Sequence, residues 1–273
     1  MPGRLESGRH FMGWILNPIR LLPGAGASLA ARMTISIIVP AFNEEKLLPA
    51  TLRSIRSAAE AFHIRGWKTE LIVCDNNSTD RTAEVARAGG AHVVFEPVNQ
   101  ISRARNTGAA VATGEWLVFV DADSQPSREL FADTAQAMID GRFLGGGVTV
   151  RLDEFQPGPA FFTMLWNLTS RVRKWCAGSF IFCETRAFRA IGGFSAEFFA
   201  SEELDLSKRL TAFGKNEGKR LTILHRHPLL TSARKMHLYK HRDYLRLLWR
   251  MFRTQGSAVK TREDCYIWYD GRR

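Results

Sequence analysis

Short apolar runs alternate along the first half of the chain with stretches whose apolar residues recur at helical spacing. "ISIIVPA" (35–41) is a strand candidate, and Leu48, Leu52, Ile55, Ala59 and Phe62 follow on one helical face. "ELIVCD" (70–75) is a second strand, followed by the short helix "DRTAEVARAGG", which its two glycines stop. "AHVVFE" (91–96) is a third strand, "SRARNTGAAVA" (102–112) a helix and "EWLVFVD" (115–121) a fourth strand. Parallel strands need crossover connections, so this alternation predicts an α/β fold, a parallel sheet with helices on both faces.

The pattern changes after about residue 140. "GGGVTVRL" (145–152) and "SFIFCETRAF" (179–188) read as strands on either side of a long aromatic and basic stretch, Phe161 to Trp175. "EELDLSKRLTAFG" (202–214) places Leu206, Leu210 and Phe213 on one helical face and is expected to end at Gly214. Open parallel sheets bind ligands at the carboxyl ends of their strands. Chemistry-bearing residues stand there: Asn43 and Glu44 after the first strand, Asp75 after the second, Asp121 and Asp123 after the fourth.

Composition adds limits. A chain of 273 residues, 45% hydrophobic and 24% charged, reads as globular rather than disordered or fibrous. The net charge of +11 sits at the ends: residues 231–273 hold eleven basic against four acidic side chains, while 34–230 are nearly balanced. A nucleic-acid protein would spread basicity over its folded part. Basic ends suit an anionic membrane surface or a disordered tail, and if the tail (236–273) is helical it is either a basic amphipathic helix at a membrane or a helix packed on the domain or a partner subunit. Cys74, Cys176, Cys183 and Cys265 lack metal-ligand spacing, and a reducing, cytoplasmic setting is expected, at the inner face of a membrane if the tail binds one. The apolar stretch 11–31 is broken by Asn17, Pro18, Arg20 and Pro23. Residues 1–33 therefore read as a poorly packed leader, an interfacial anchor or an extension upstream of a start at Met33.

The run "EWLVFVDADSQP" (115–126) ends an apolar strand in two carboxylates. In extended backbone, residues i and i+2 share a side, so Asp121 and Asp123 are expected to face one site. Unpaired, they repel; a hard divalent cation, Mn²⁺ or Mg²⁺, removes that penalty and in turn holds a diphosphate. The alternative is a solvated turn.

"PAFNEE" (40–45), "VCDNNSTDRT" (73–82), "ARNTG" (104–108), "FVDADS" (119–124), "RAFRAIGGF" (186–194) and "SEELDLSKRL" (201–210) resemble, in order, the signature of family 2 glycosyltransferases. The resemblance covers about residues 34–235. It implies a GT-A-type fold, a mostly parallel sheet flanked by helices, with a nucleotide-binding half (34–125) fused to an acceptor-binding half (126–235). It further implies metal-dependent transfer of a sugar from a nucleoside-diphosphate sugar, UDP-linked by family habit, to an acceptor hydroxyl, with inversion. The acceptor is unspecified; a lipid-linked one would suit the basic tail.

Carried over, the resemblance lines the donor pocket with Pro40, Ala41, Glu44, Asp75, Arg105, Asp121, Ala122 and Gly178. Asp75 would accept from the base, Arg105 would bind the diphosphate or the pocket's acids, and Asp123, with Asp121, would hold the metal. Glu203 is the expected general base, with Glu202 as its competitor and Ser201 placed to cap their helix. Asp205 is expected to pair with Arg209, and Gly192 and Gly193 to make a tight turn. "TSARK" (231–235) resembles a segment whose arginine, Arg234, approaches the diphosphate. His225, His227 and His237 are candidates for a third metal ligand. Relatives often carry Asp-Asp-Gly-Ser where this chain has "DNNS", which bears on base and ribose contacts. A nucleotidyltransferase-like or non-catalytic protein on this fold is the alternative; an oxidoreductase is disfavoured because no G-x-G-x-x-G follows the first strand.

Overall fold

The computed structural model describes residues 33–154, 157–234, 260–263 and 265. The first half builds β1 (Thr34–Ala41), α1 (Leu48–His63), β2 (Lys68–Asp75), α2 (Thr82–Ala88), β3 (His92–Phe95), α3 (Ile101–Ala110) and β4 (Trp116–Val120). These are the elements that the hydrophobic periods indicate. Strands β3, β2, β1 and β4 lie side by side and all run parallel. β4 is buried along its whole length, as a parallel strand covered on both faces must be. Alternate side chains of β1 feed two cores: Ile35, Ile37 and Val39 pack with Leu52, Ile55 and Phe62 of α1, whereas Ile38 packs with Ala109 of α3.

The second half continues the same sheet with β5 (Ser124–Gln125), α4 (Arg128–Ile139), β6 (Phe143–Leu152), α5 (Pro157–Arg173), β7 (Phe180–Glu184), α6 (Thr185–Ala190), α7 (Glu202–Asn216) and β8 (Arg220–Thr231). The strand order is β3-β2-β1-β4-β7-β6-β8-β5. Here the direction is mixed: β7 is antiparallel to both β4 and β6, β5 is antiparallel to β8, and only β6–β8 is parallel. The expected parallel sheet thus holds for β1 to β4. The sheet crosses residue 125 without a break.

Helix α5 and strand β8 are not among the elements expected from the sequence. The aromatic and basic stretch is helix α5, which buries only Pro159 and Ser170 and so shows no core-facing stripe. β8 is interrupted where residues 225–228 bulge opposite Thr149, between the pairs Val148–Leu224 and Val150–Leu229. Gly214 does not end its helix. α7 runs on to Asn216, and Gly218, at φ +66°, follows the exit. Gly214 instead lets the helix touch the sheet, since a Cβ there would lie 2.1 Å from Leu144 Cδ2.

All four cysteines are free and buried. Among the described residues, no helix is long and apolar enough to cross a membrane. Residues 1–32 and most of the tail, His237 included, lie outside the described residues.

Candidate active site

At the carboxyl ends of β1 and β2, two loops are clasped together. The backbone N–H of Glu44 donates to Thr82 Oγ1 (2.8 Å), that of Glu45 to Asp80 Oδ2 (3.1 Å), and Asn43 Oδ1 accepts from Thr79 N (2.8 Å). Pro40 and Ala41 are buried in β1. Pro40 is tolerated because β1 has lost its pairing with β4 by then, the last partners being Ile38 and Phe119. Asp75 is buried beside them and accepts from Ser78 N (3.1 Å). The "DNNS" departure has a local explanation. Asn77 sits at φ +63°, a left-handed conformation that asparagine tolerates. The Asn76 amide donates to the carbonyls of Glu96 (3.2 Å) and Val98 (2.6 Å), which a carboxylate has no proton to do.

Arg105 is the centre of the site. It is 1% exposed, and its guanidinium donates to Glu202 Oε1 (2.6 Å), Asp121 Oδ1 (3.0 Å) and the Gly178 carbonyl (2.8 Å). The Phe194 ring lies 5.1 Å from its carbon. Three segments distant in sequence are thereby tied to α3. Of the two roles expected for Arg105, binding the pocket's acids is the one seen. Gly178 lies close against this group: a Cβ there would be 3.3 Å from Arg105 Nη2, a tight contact, and 3.7 Å from Glu203 Cδ. Asn106, which the sequence did not single out, locks the "GGF" turn to the same helix through Phe194 N (2.9 Å) and Phe194 O (2.8 Å). Gly192 and Gly193 have φ of +77° and +69°, the turn expected of them.

Asp121 and Asp123 do not sit on one extended strand. β4 stops at Val120, and a turn follows in which Ser124 N donates to Asp121 O (3.1 Å). The premise of a shared extended face therefore fails, and the two acids meet different arginines. Asp121 pairs with Arg105, while Asp123 Oδ2 lies 3.6 Å from Arg234 Nη2. Ala122, between them, is buried and its carbonyl accepts from Thr51 Oγ1 (2.7 Å). Arg234 in turn makes a forked pair with Glu44, at 2.8 and 2.9 Å. Glu44 and Arg234, both expected in the donor pocket, are thus brought together across 190 residues of sequence.

Helix α7 presents Glu202, Glu203 and Asp205 in its first turn. Ser201 does not cap it: at φ +63° its side chain makes no capping bond. A helix N-terminus favours carboxylates, but burial opposes it here and wins. Burial, with the neighbouring Glu202 charge second, pushes the Glu203 carboxyl from its ordinary 4.5 up to about 8. Burial also raises Glu202, against the pull of Arg105. Ser207 pins this turn to the Gly178 segment, donating to Glu203 O (2.7 Å) and accepting from Cys176 N (3.0 Å). Asp205 pairs with Arg209 as expected, at 2.6 Å.

Comparison with known proteins places this geometry. The model of glycosyl transferase family 2 matches residues 36–190, more than half of the chain. The chain belongs to glycosyl transferase family 2. A mannosyltransferase from Pyrobaculum calidifontis, solved with GDP-Man and Mn²⁺, is similar at TM-score 0.60 and 21% identity, covering 84% of this chain and 63% of that one. Glucosyl-3-phosphoglycerate synthase from Mycobacterium tuberculosis, solved with Mn²⁺, UDP and phosphoglyceric acid, is similar at TM-score 0.56 and 19% identity, covering 94% and 84%. Both likenesses are of fold: a mixed α/β GT-A sheet flanked by helices. In sequence, the 4,4'-diaponeurosporenoate glycosyltransferase of Staphylococcus haemolyticus is 37% identical over 103 residues, 35% of this chain and 26% of that protein. A TPR repeat-containing protein of Synechococcus elongatus is 30% identical over 140 residues, 51% of this chain and 32% of that protein. The chain therefore spans about a quarter to a third of these two curated relatives.

Within this family 2 domain, the donor set for a cation is oxygen, which suits Mn²⁺ or Mg²⁺. Asp123 is the fitting anchor, because its contacts are long: 3.6 Å to Arg234 and 3.5 Å to Ser124 Oγ. Asp121 and Glu202 pair with Arg105, and Glu44 and Asp123 with Arg234, so the site is rich in carboxylate oxygen. Of the histidine candidates, the two that are described, His225 and His227, do not complete that set. His227 Nδ1 pairs with Asp133 Oδ2 at 3.0 Å, and His225 Nδ1 faces the Ile223 carbonyl at 3.4 Å. In the β8–β5 pairing Thr231 meets Ser124, so even His227 stands four residues, roughly 13 Å of strand, from the Asp123 turn. Among the described residues no group of three His, Cys, Asp or Glu side chains forms a metal cluster.

Proposed function

We propose that this family 2 domain transfers a hexosyl group from a nucleoside-diphosphate sugar, UDP-linked, to an acceptor hydroxyl with inversion, using Mn²⁺ or Mg²⁺. The observation that carries the reading is the convergence of Asp121, Glu202 and the Gly178 carbonyl on Arg105, with Glu203 against Gly178. This joins the donor side of the sheet to the first turn of α7. Glu203 is the general base: its carboxyl, pushed up to about 8, holds a proton strongly once it has taken one from a hydroxyl. Glu202 is unsuited to that work because Arg105 occupies it at 2.6 Å. Asp123, with Asp121 beside it, would hold the divalent cation, which supplies charge stabilisation for a departing diphosphate. Arg234 is free to exchange Glu44 for phosphate oxygens, a trade of one forked anion for another. Asp75 would accept from the base. The acceptor is a hydroxyl carried by a lipid, which the basic tail outside the described residues would bring near.

The test is a panel of nucleotide sugars assayed for metal-dependent hydrolysis and transfer, with calorimetry of UDP in the presence and absence of Mn²⁺. Asp123→Ala is expected to lose metal-dependent UDP binding and all turnover. Glu203→Gln is expected to keep UDP binding and lose transfer. UDP binding by Asp123→Ala equal to that of the wild type would remove the metal from this reading, and full activity of Glu203→Gln would remove the base.

A further inference from the structure

Helix α5 is long but poorly packed. It has 17 residues and buries two, whereas the 16-residue α1 buries eight. Helices in proteins owe most of their stability to packing of an apolar face, so a helix left this bare calls for a partner. Its exposed face is apolar. Phe161, Met164, Leu165, Leu168 and Val172 are between 49% and 71% exposed and stand at i, i+3, i+4, i+7 and i+11, a single stripe. Including Phe162, six of the eleven exposed large hydrophobic residues among those described lie on this helix.

The stripe borders a hollow of about 940 Å³ between α5 and the ends of β6 and β8, which Phe161, Met164, Leu165 and Leu168 line with Asp153 and Glu154 across from them. On the flank of the stripe Asn167 makes a two-way bond to β6, Oδ1 accepting from Val150 N and Nδ2 donating to Val150 O, both at 2.9 Å. The helix cannot roll without breaking that pair. At about 100° per residue, Arg171 falls roughly 75° to one side of the centre of the stripe and Arg173 roughly 125° to the other. Both are exposed, as is Lys174 after them. Arg173 stacks on Trp175 at 5.8 Å, and with Lys208 and Lys215 of α7 the pair rims a hollow of about 340 Å³. The acids on this side, Asp153 and Glu154, precede the helix, and Asp153 accepts from Ala233 N at 2.8 Å.

We propose that α5 is an interfacial helix that seats the protein on an anionic lipid bilayer, its stripe in the acyl boundary and its flanking cations at the headgroups. An apolar stripe between cations is what such a surface binds. Charge selects this occupant over the alternatives. The chain's own tail is basic and would meet basic flanks, and a second copy docked stripe to stripe would set cations against cations. The inference does not depend on the donor chemistry, so its test reads no transfer.

The full chain is sedimented with vesicles of phosphatidylcholine alone and of phosphatidylcholine with phosphatidylglycerol. Wild type is expected to bind the anionic vesicles more tightly. Phe161→Glu with Leu168→Glu should weaken partitioning on the order of a hundredfold, and Arg171→Gln or Arg173→Gln roughly fivefold each. Circular dichroism should show the fold intact, since these side chains are exposed. Leu165→Cys is expected to react with a maleimide in the free protein and to be shielded by anionic vesicles. Equal binding of both vesicle types, or unchanged binding of the double variant, overturns the proposal. So does shielding of Cys at position 165 without vesicles, which would mean that the tail or a second copy covers the stripe.

Discussion

Replacing Arg105 with Met should be among the most damaging single changes in the chain. The guanidinium is 1% exposed and makes three polar contacts, to Glu202 at 2.6 Å, Gly178 O at 2.8 Å and Asp121 at 3.0 Å. Met fills a similar volume over Phe194 but offers no donor. Glu202, 4% exposed, would be left as a buried carboxylate without its cation. Breaking a buried pair from one side costs about 3–5 kcal/mol. That is a large share of the roughly 5–15 kcal/mol by which domains are stable, and amounts to roughly a 10 °C fall in melting temperature. Part of the loss comes from the stranded acid rather than from the missing bonds, which makes a second variant diagnostic. Glu202→Gln removes that charge, so in the Arg105→Met background it should restore about 1–3 kcal/mol, the size of coupling expected for contacting groups. Urea unfolding of the wild type, both single variants and the double variant measures all four corners. A loss below about 1 kcal/mol for Arg105→Met, or strict additivity of the two changes, would refute the view that Arg105 is a buried charge hub.

Two other changes have signs that the structure decides. Transfer should rise with pH through an apparent pKa near 8, because the base must be unprotonated and burial holds the Glu203 proton on. Between its ordinary 4.5 and about 8 the folded chain retains a proton that the unfolded chain has released, so this group's contribution to stability falls as pH rises through that window. Glu203→Gln, which is expected to abolish transfer, should flatten the stability profile, and a pH–stability curve unchanged by it would contradict the assignment. Gly214→Ala, by helix propensity alone, should stabilise α7 by ~1 kcal/mol. The new Cβ would instead meet Leu144 Cδ2 at 2.1 Å and the Lys219 carbonyl at 2.7 Å, with Leu144 fully buried and unable to swing away. A net loss of about 1–3 kcal/mol is expected, and a raised melting temperature would show that the helix has room.

The elements from β1 to β4 were legible because each is a local pattern: a buried apolar run for a strand, a four-residue period for a helix, acids where a strand stops. The family signature supplied the order and the residue roles. Both kinds of information stop short of partners. Asp121 and Asp123 are two apart in sequence, and alternation set them on one face, but a turn closed by a Ser124–Asp121 bond sends them to Arg105 and Arg234. α5 and β8 were not read from the sequence: α5 carries its apolar period on an exposed face rather than a core-facing one, and a four-residue bulge interrupts β8.

What the chain determined alone is therefore its run of strands and helices and the chemistry parked at strand ends, because period and composition act over a few residues. The tertiary structure alone decided which acid each arginine holds. Arg105 lies 97 residues from Glu202, and Arg234 lies 190 from Glu44. It also decided that Glu203 keeps its proton near neutrality while the helix end beside it argues for release. Desolvation is a property of everything packed around a group, and only the folded chain brings those atoms together.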